Sequence, residues 1–265
     1  MKRLSIRVIA NVFCEAPPWR GFVQRPKGRS PRNDTRLKMC SCLQYFKSSI
    51  GKKQVVATTG LLLILFVTGH LIGNLIMFAG PQAYNHYSHF LVSLRPFLYL
   101  IEFGLFLIFV IHIFFTYLVV LENIQARGTS YSIYRAVGER SFATRIMPYT
   151  GTFLFLFIIW HIFDFTLSDR EGLRAIMSDG ANLGLYGVVY NSFRNPLHSL
   201  GYILAMGCLG FHLSHGIQSS FQTYGFNHPK YTPLVEKLSN FIGLLFAFGF
   251  SSIPVYVMLD AMRYQ

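Results

Sequence analysis

From residue 55 onward the chain is organised by five long apolar runs, separated by polar stretches that hold most of its charged side chains. The runs cover roughly 55–79, 98–122, 148–168, 197–222 and 239–259. Each is near the ~20 residues a helix needs to cross a bilayer. The pattern predicts an all-α integral membrane bundle of five transmembrane helices. The fourth run is the least apolar, with Ser199, His212, Ser214 and His215. That composition suits the inside of a bundle better than a lipid-facing position. No internal repeat is obvious.

Composition agrees with this pattern. The chain is 52% hydrophobic and 16% aromatic, with only 13% charged residues, against about 25% in soluble domains. Its net charge of +13 is uneven, because residues 1–38 hold ten Lys/Arg against Glu15 and Asp34. Such a basic segment reads as a polybasic face beside a membrane rather than a nucleic-acid site. With Pro17, Pro18, Pro26 and Pro31 it predicts a disordered tail, and Met39 is a candidate start for the membrane domain at 39–265.

Lys/Arg in the flanking loops sets the orientation. Lys47, Lys52 and Lys53 precede the first run, and Arg127, Arg135, Arg140 and Arg145 lie between the second and third. The loop between the first and second has only Arg95. These flanks predict a multi-pass protein of the cytoplasmic (inner) membrane with a cytoplasmic N-terminus. Cys40 and Cys42 lack the two-residue gap of a usual zinc or redox pair, and Cys208 reads as a packing residue.

The candidate chemistry lies in His70, His112, His161 and His212, one within each of the first four runs. A polar side chain at membrane depth usually faces a bundle interior, a partner or a cofactor. Two histidines facing each other are what a six-coordinate haem iron requires. Counted from the cytoplasmic ends, His70 and His161 lie about 15 and 13 residues deep, and His112 and His212 about 10. The two sets then differ by at least ~5 Å along the membrane normal. An outer pair His70/His161 and an inner pair His112/His212 follow. His215, one turn after His212, is an alternative ligand by periodicity. Gly69, Gly73, Gly104, Gly151, Gly210 and Gly216 would let a flat ring or another helix approach closely, helix packing being the simpler role for any one of them. His86, His89, His198 and His228 read as solvated or interfacial. Glu102 is an intramembrane carboxylate and so a functional candidate.

Three stretches carry a resemblance: Gly-His-Leu-Ile-Gly-Asn-Leu at 69–75, Ala-Tyr-Asn-His-Tyr at 83–87, and the long Phe-His-Leu-Ser-His-Gly-Ile-Gln-Ser-Ser-Phe-Gln-Thr-Tyr-Gly at 211–225. From about Gln44 to Met258 the chain resembles the dihaem cytochrome b subunit (b558 type) of succinate:quinone oxidoreductases, the succinate dehydrogenases and fumarate reductases. The resemblance implies axial ligands at His70, His112, His161 and His212, choosing His212 over His215, and two haems b. It also implies partner flavoprotein and iron–sulphur subunits, a quinone substrate (menaquinone or ubiquinone) and lipid, with the dicarboxylate site on another subunit. Some relatives carry a glutamate where this chain has Gly210, and others a quinone-contacting glutamate where it has Ser93-Leu94-Arg95-Pro96. Glu102, His89 and Asn85 are the substitute quinone candidates. The competing classes are a cytochrome b of another quinone-linked dehydrogenase and a non-haem membrane transporter with a histidine proton path.

Overall fold

The computed structural model describes residues 44–125, 142–169 and 172–263, with side chains from residue 146 onward in the second stretch. The basic segment 1–38, Cys40, Cys42 and the arginine-bearing loop 126–141 lie outside the described residues. The described residues contain five helices long and apolar enough to cross a membrane. This is a multi-pass membrane protein.

Helix α1 (Ser49–Leu75) continues into a 3-10 turn at Ile76–Ala79. Its start is fixed by Ser48, whose Oγ accepts the Gly51 N–H at 3.1 Å and so satisfies one of the free donors of the first turn. Gly80, at φ +93°, then turns the chain into α2 (Pro81–Ser93), with Pro81 where a missing N–H costs nothing. Helix α3 spans Phe97–Gln125, and α4 spans Phe142–His161 before widening into a π turn at Ile162–Thr166. Helix α5 (Gly184–Phe193) leads into α6 (Pro196–Thr223), whose cap Asn195 accepts from Leu197 N at 3.0 Å. Helix α7 covers Thr232–Arg263.

The spans begin before the expected limits, most clearly at Ser49 rather than 55 and at Thr232 rather than 239, and the last ends at Arg263 rather than 259. Hydropathy sees only the apolar part of each helix, whereas capping and amphipathic turns such as 232–238 extend it. Helices α2 and α5, which form no apolar run of membrane length, were not expected.

The side of the bundle where α1 begins is the near side, and the side where it ends is the far side. On the near side Lys52 pairs with Glu122 of α3, and Thr58 Oγ1 lies 2.6 Å from Tyr224 Oη at the end of α6. On the far side α2 and α5 cap the bundle. Asn85 binds the start of α5 at both ends of its amide, donating to Leu183 O at 2.6 Å and accepting from Tyr186 N at 3.1 Å. A core of Met77, Tyr84, Val189, Phe193, Ile253 and Val257 fills the space beneath.

Helix α6 is central, packing along α7, α4 and α1, while α3 rests mainly on α1 and has no buried residue. Phe103, Phe106, Phe114 and Tyr117 are exposed on α3, a surface suited to acyl chains rather than water. Among lipid-embedded helices the hydrophobic effect gives little drive to associate, so close backbone approach matters more. Helices α6 and α7 achieve it at Gly210 and Gly243. A Cβ on Gly243 would meet Gly210 O at 2.4 Å. Gly210 thus serves helix packing.

Gly243→Ala should therefore destabilise the protein by about 1–3 kcal/mol through overpacking. Gly104→Ala, whose Cβ would meet nothing within 4 Å, should be neutral or stabilising. Thermal unfolding of both variants in detergent checks this contrast. On the far side Tyr190 donates to Asp260 Oδ2 at 2.7 Å. Burial, and then the Asp260 carboxylate, push its phenol above the ordinary tyrosine value. A raised folded-state value gives stability that is complete below about pH 10 and is lost as pH rises beyond it. Tyr190→Phe should flatten the fall in melting temperature above pH 10.

Candidate cofactor site

The first-run and third-run histidines meet near the far side. His70 of α1 and His161 at the end of α4 have ring centroids 5.8 Å apart, with planes at 87°. Two imidazoles bonded to opposite sides of one metal at about 2 Å each put their centroids about 6 Å apart. Aromatic rings wall the pair. Phe66 stacks on His70 at 5.6 Å and Phe250 lies 5.8 Å from it, while Phe157 stacks on His161 at 5.8 Å.

The other two histidines sit nearer the opposite end, and each rests on a Thr-Gly step of a neighbouring helix. His112 of α3 places Nδ1 3.0 Å from Thr59 Oγ1 of α1, and its Cε1 lies over Gly60, where a Cβ would come within 3.2 Å. His212 of α6 places Nδ1 3.4 Å from Thr150 Oγ1 of α4, and its Cε1 lies over Gly151, with 3.4 Å to a Cβ there. Phe109 of α3 stacks on Phe155 of α4 at 6.4 Å between these helices.

The hydroxyls decide which imidazole nitrogen is free. Thr59 Oγ1 already donates its single proton to Val55 O at 2.7 Å, and Thr150 Oγ1 to Met147 O at 3.0 Å. With the threonine protons given to those carbonyls, each oxygen accepts from Nδ1–H of the facing imidazole, and Nε2 keeps a free lone pair. The same logic holds for His161. Its Nδ1 lies 3.5 Å from Tyr202 Oη, and that hydroxyl donates to Asp164 Oδ2 at 2.8 Å. In that arrangement three of the four histidines would present Nε2 to a metal. Among the described residues no three His, Cys, Asp or Glu side chains converge on one point. His70 and His161 form one facing imidazole pair, which fits the axial positions of a haem, and His112 and His212 are two further imidazoles at the near-side level.

Asp164 was missed by the sequence reading. It is buried in the π turn that follows His161. Its carboxylate accepts from Tyr202 and from Arg174 Nη2 at 2.7 Å, Arg174 also donates to Asp164 O at 3.0 Å, and His198 Nε2 lies 2.9 Å from the carboxylate. The side chain of His198 is only 19% exposed, and it stacks on Tyr202 at 5.0 Å and packs on Trp160. It is therefore not the solvated interfacial residue expected, because Trp160 of α4, Phe193 of α5 and Tyr202 pack against it. One signal was available: an aspartate inside an apolar run, three residues after a candidate ligand.

The remaining candidates are placed apart from this cluster. Glu102 is exposed on α3, and His89 is exposed on α2. Asn85 spends its amide on holding α2 to α5. Of the glycines expected to admit a flat ring or another helix, Gly151 faces His212, Gly73 faces the Tyr87 hydroxyl, and Gly69 and Gly104 meet nothing within 4 Å.

The succinate dehydrogenase cytochrome b558 subunit of Bacillus subtilis (strain 168) is 26% identical to this chain over 200 residues, covering 75% of the chain and 87% of the relative. That relative supports the likeness read from residues 69–75, 83–87 and 211–225. No protein-family model matches the chain, and no solved structure matches it significantly.

Arg174→Met would leave the buried Asp164 carboxylate short of a charged donor. The expected cost is about 2 kcal/mol, read as a lower unfolding temperature than the unsubstituted protein.

Proposed function

We propose that the chain is the membrane-anchor and electron-transfer subunit of a succinate:quinone oxidoreductase, holding two haems b. The observation that carries this reading is the facing pair His70/His161, with His112 and His212 at a second level, inside a five-span bundle, joined to the likeness with a cytochrome b558 subunit. In this reading His70 and His161 are the axial ligands at the outer level, and His112 and His212 those at the inner level. Bis-histidine haems leave no open coordination position and so supply one-electron transfer rather than oxygen binding.

The chain's own residues do the positioning. Thr59 and Thr150 hold the inner imidazoles with Nε2 outward, and Gly60 and Gly151 leave room for the rings. Tyr202 does the same for His161. Phe66, Phe157 and Phe250 exclude water from the outer level and keep its dielectric low. The near side, with Lys47, Lys52 and Lys53, is the cytoplasmic face, where a flavoprotein subunit and an iron–sulphur subunit dock. The dicarboxylate site lies on those partners, and quinone exchanges electrons with this chain. Glu102 and His89 offer exposed polar groups toward the outer side for a quinone, while Asn85 is committed to the α2–α5 contact.

Purified from haem-replete cells, the protein should show Soret and alpha bands. His112→Ala and His212→Ala should each remove one haem, and His70→Ala and His161→Ala the other. Thr59→Val and Thr150→Val should weaken retention of the inner haem by about 10- to 100-fold, with Thr→Ser at either site restoring it. A flavoprotein with succinate dehydrogenase activity should co-purify. Absence of both bands would favour a proton-conducting transporter.

A further inference from the structure

We infer that Asp164, acting through the Tyr202 hydroxyl on His161, is a positioning and tuning residue that holds the outer haem at a lower reduction potential than it would otherwise have. The inference rests on the proposed haem ligation by His70 and His161.

A tyrosine hydroxyl has one proton. Here that proton is given to Asp164 Oδ2 at 2.8 Å, so the oxygen facing His161 Nδ1 at 3.5 Å can only accept. The result is a chain in which His161 Nδ1–H points to Tyr202 O, and Tyr202 O–H points to a carboxylate. A carboxylate-backed acceptor makes the opposite nitrogen, Nε2, a more basic ligand. A more basic ligand, with a negative charge nearby, stabilises the ferric over the ferrous state.

The carboxylate is held for this task. It is buried in the π turn and fixed by Arg174 from the 172–183 segment, with His198 of α6 packed 2.9 Å from it. Arg174 itself is anchored by Ser192 of α5. Arg174 offsets part of the charge, but it leaves the direction of the hydrogen bonds unchanged. The inner histidines lack such a backing, because Thr59 and Thr150 pass their protons to backbone carbonyls. At His70, Asn74 donates to the backbone oxygen at 2.7 Å and not to the imidazole. An anionic relay on one ligand of the outer pair therefore sets that level apart from the inner one.

The test is a potentiometric titration of the membrane-extracted complex, followed in the alpha band, with the inner haem as internal control. Tyr202→Phe keeps the ring packing and removes the relay oxygen. Asp164→Asn keeps an acceptor and removes the charge. Each should raise the outer midpoint by about a tenfold change in the one-electron equilibrium, about 59 mV, with the inner midpoint unmoved. The double variant should not exceed the larger single shift, because both substitutions cut one chain. An outer midpoint unmoved in Tyr202→Phe, both midpoints shifting alike, or loss of the outer haem in both variants would overturn the inference alone. Absence of haem from the unsubstituted protein would overturn the ligation and the inference with it.

Discussion

A neutral imidazole owns one N–H, and inside a lipid-embedded bundle that N–H must find an acceptor because water is absent. The site follows from how this chain meets the constraint. At three histidines the acceptor is a hydroxyl whose own proton is already spent, on a carbonyl for Thr59 and Thr150 and on a carboxylate for Tyr202. The unprotonated nitrogen is thereby directed away from the helix that supplies the hydroxyl. Helix spacing, glycine placement and the central position of α6 can be understood as means of keeping those contacts.

The architecture has an internal order that hydropathy did not reveal. Thr59-Gly60 precedes His70 by the same eleven positions that separate Thr150-Gly151 from His161. Eleven residues are about three helical turns and about 16 Å of rise. The Thr-Gly step and the histidine therefore share one face of α1, and the same holds for α4. Each of these helices cradles a neighbour's imidazole at one level and offers its own at the other. A Thr-Gly-x9-His repeat was present in the text of the chain. It escaped notice because a threonine and a glycine in an apolar helix are ordinary residues until a side chain is seen resting on them.

Much else was legible. Five spans, the burial of α6 and the meeting of His70 with His161 all follow from hydropathy and depth counting, since these depend on period and length alone. Helices α2 and α5 were not legible, because ten to thirteen residues of mixed polarity outside the membrane have no strong period. Without them the covering of His198 and the Arg174–Asp164 contact were out of reach, as was the Asn85 clamp. The glycine reading left ring and helix contacts as alternatives for a related reason. Gly151 faces an imidazole, but Gly210 faces Gly243, and only the neighbouring helix decides which.

The central claim is that opposed imidazoles fill both axial positions of two irons at two depths. Electron paramagnetic resonance of the oxidised, purified protein tests it most directly. Two distinct low-spin ferric signals of the bis-imidazole kind, in equal amounts and summing to two per chain, are what the account predicts. A high-spin ferric signal, or a single low-spin species at one per chain, would contradict it.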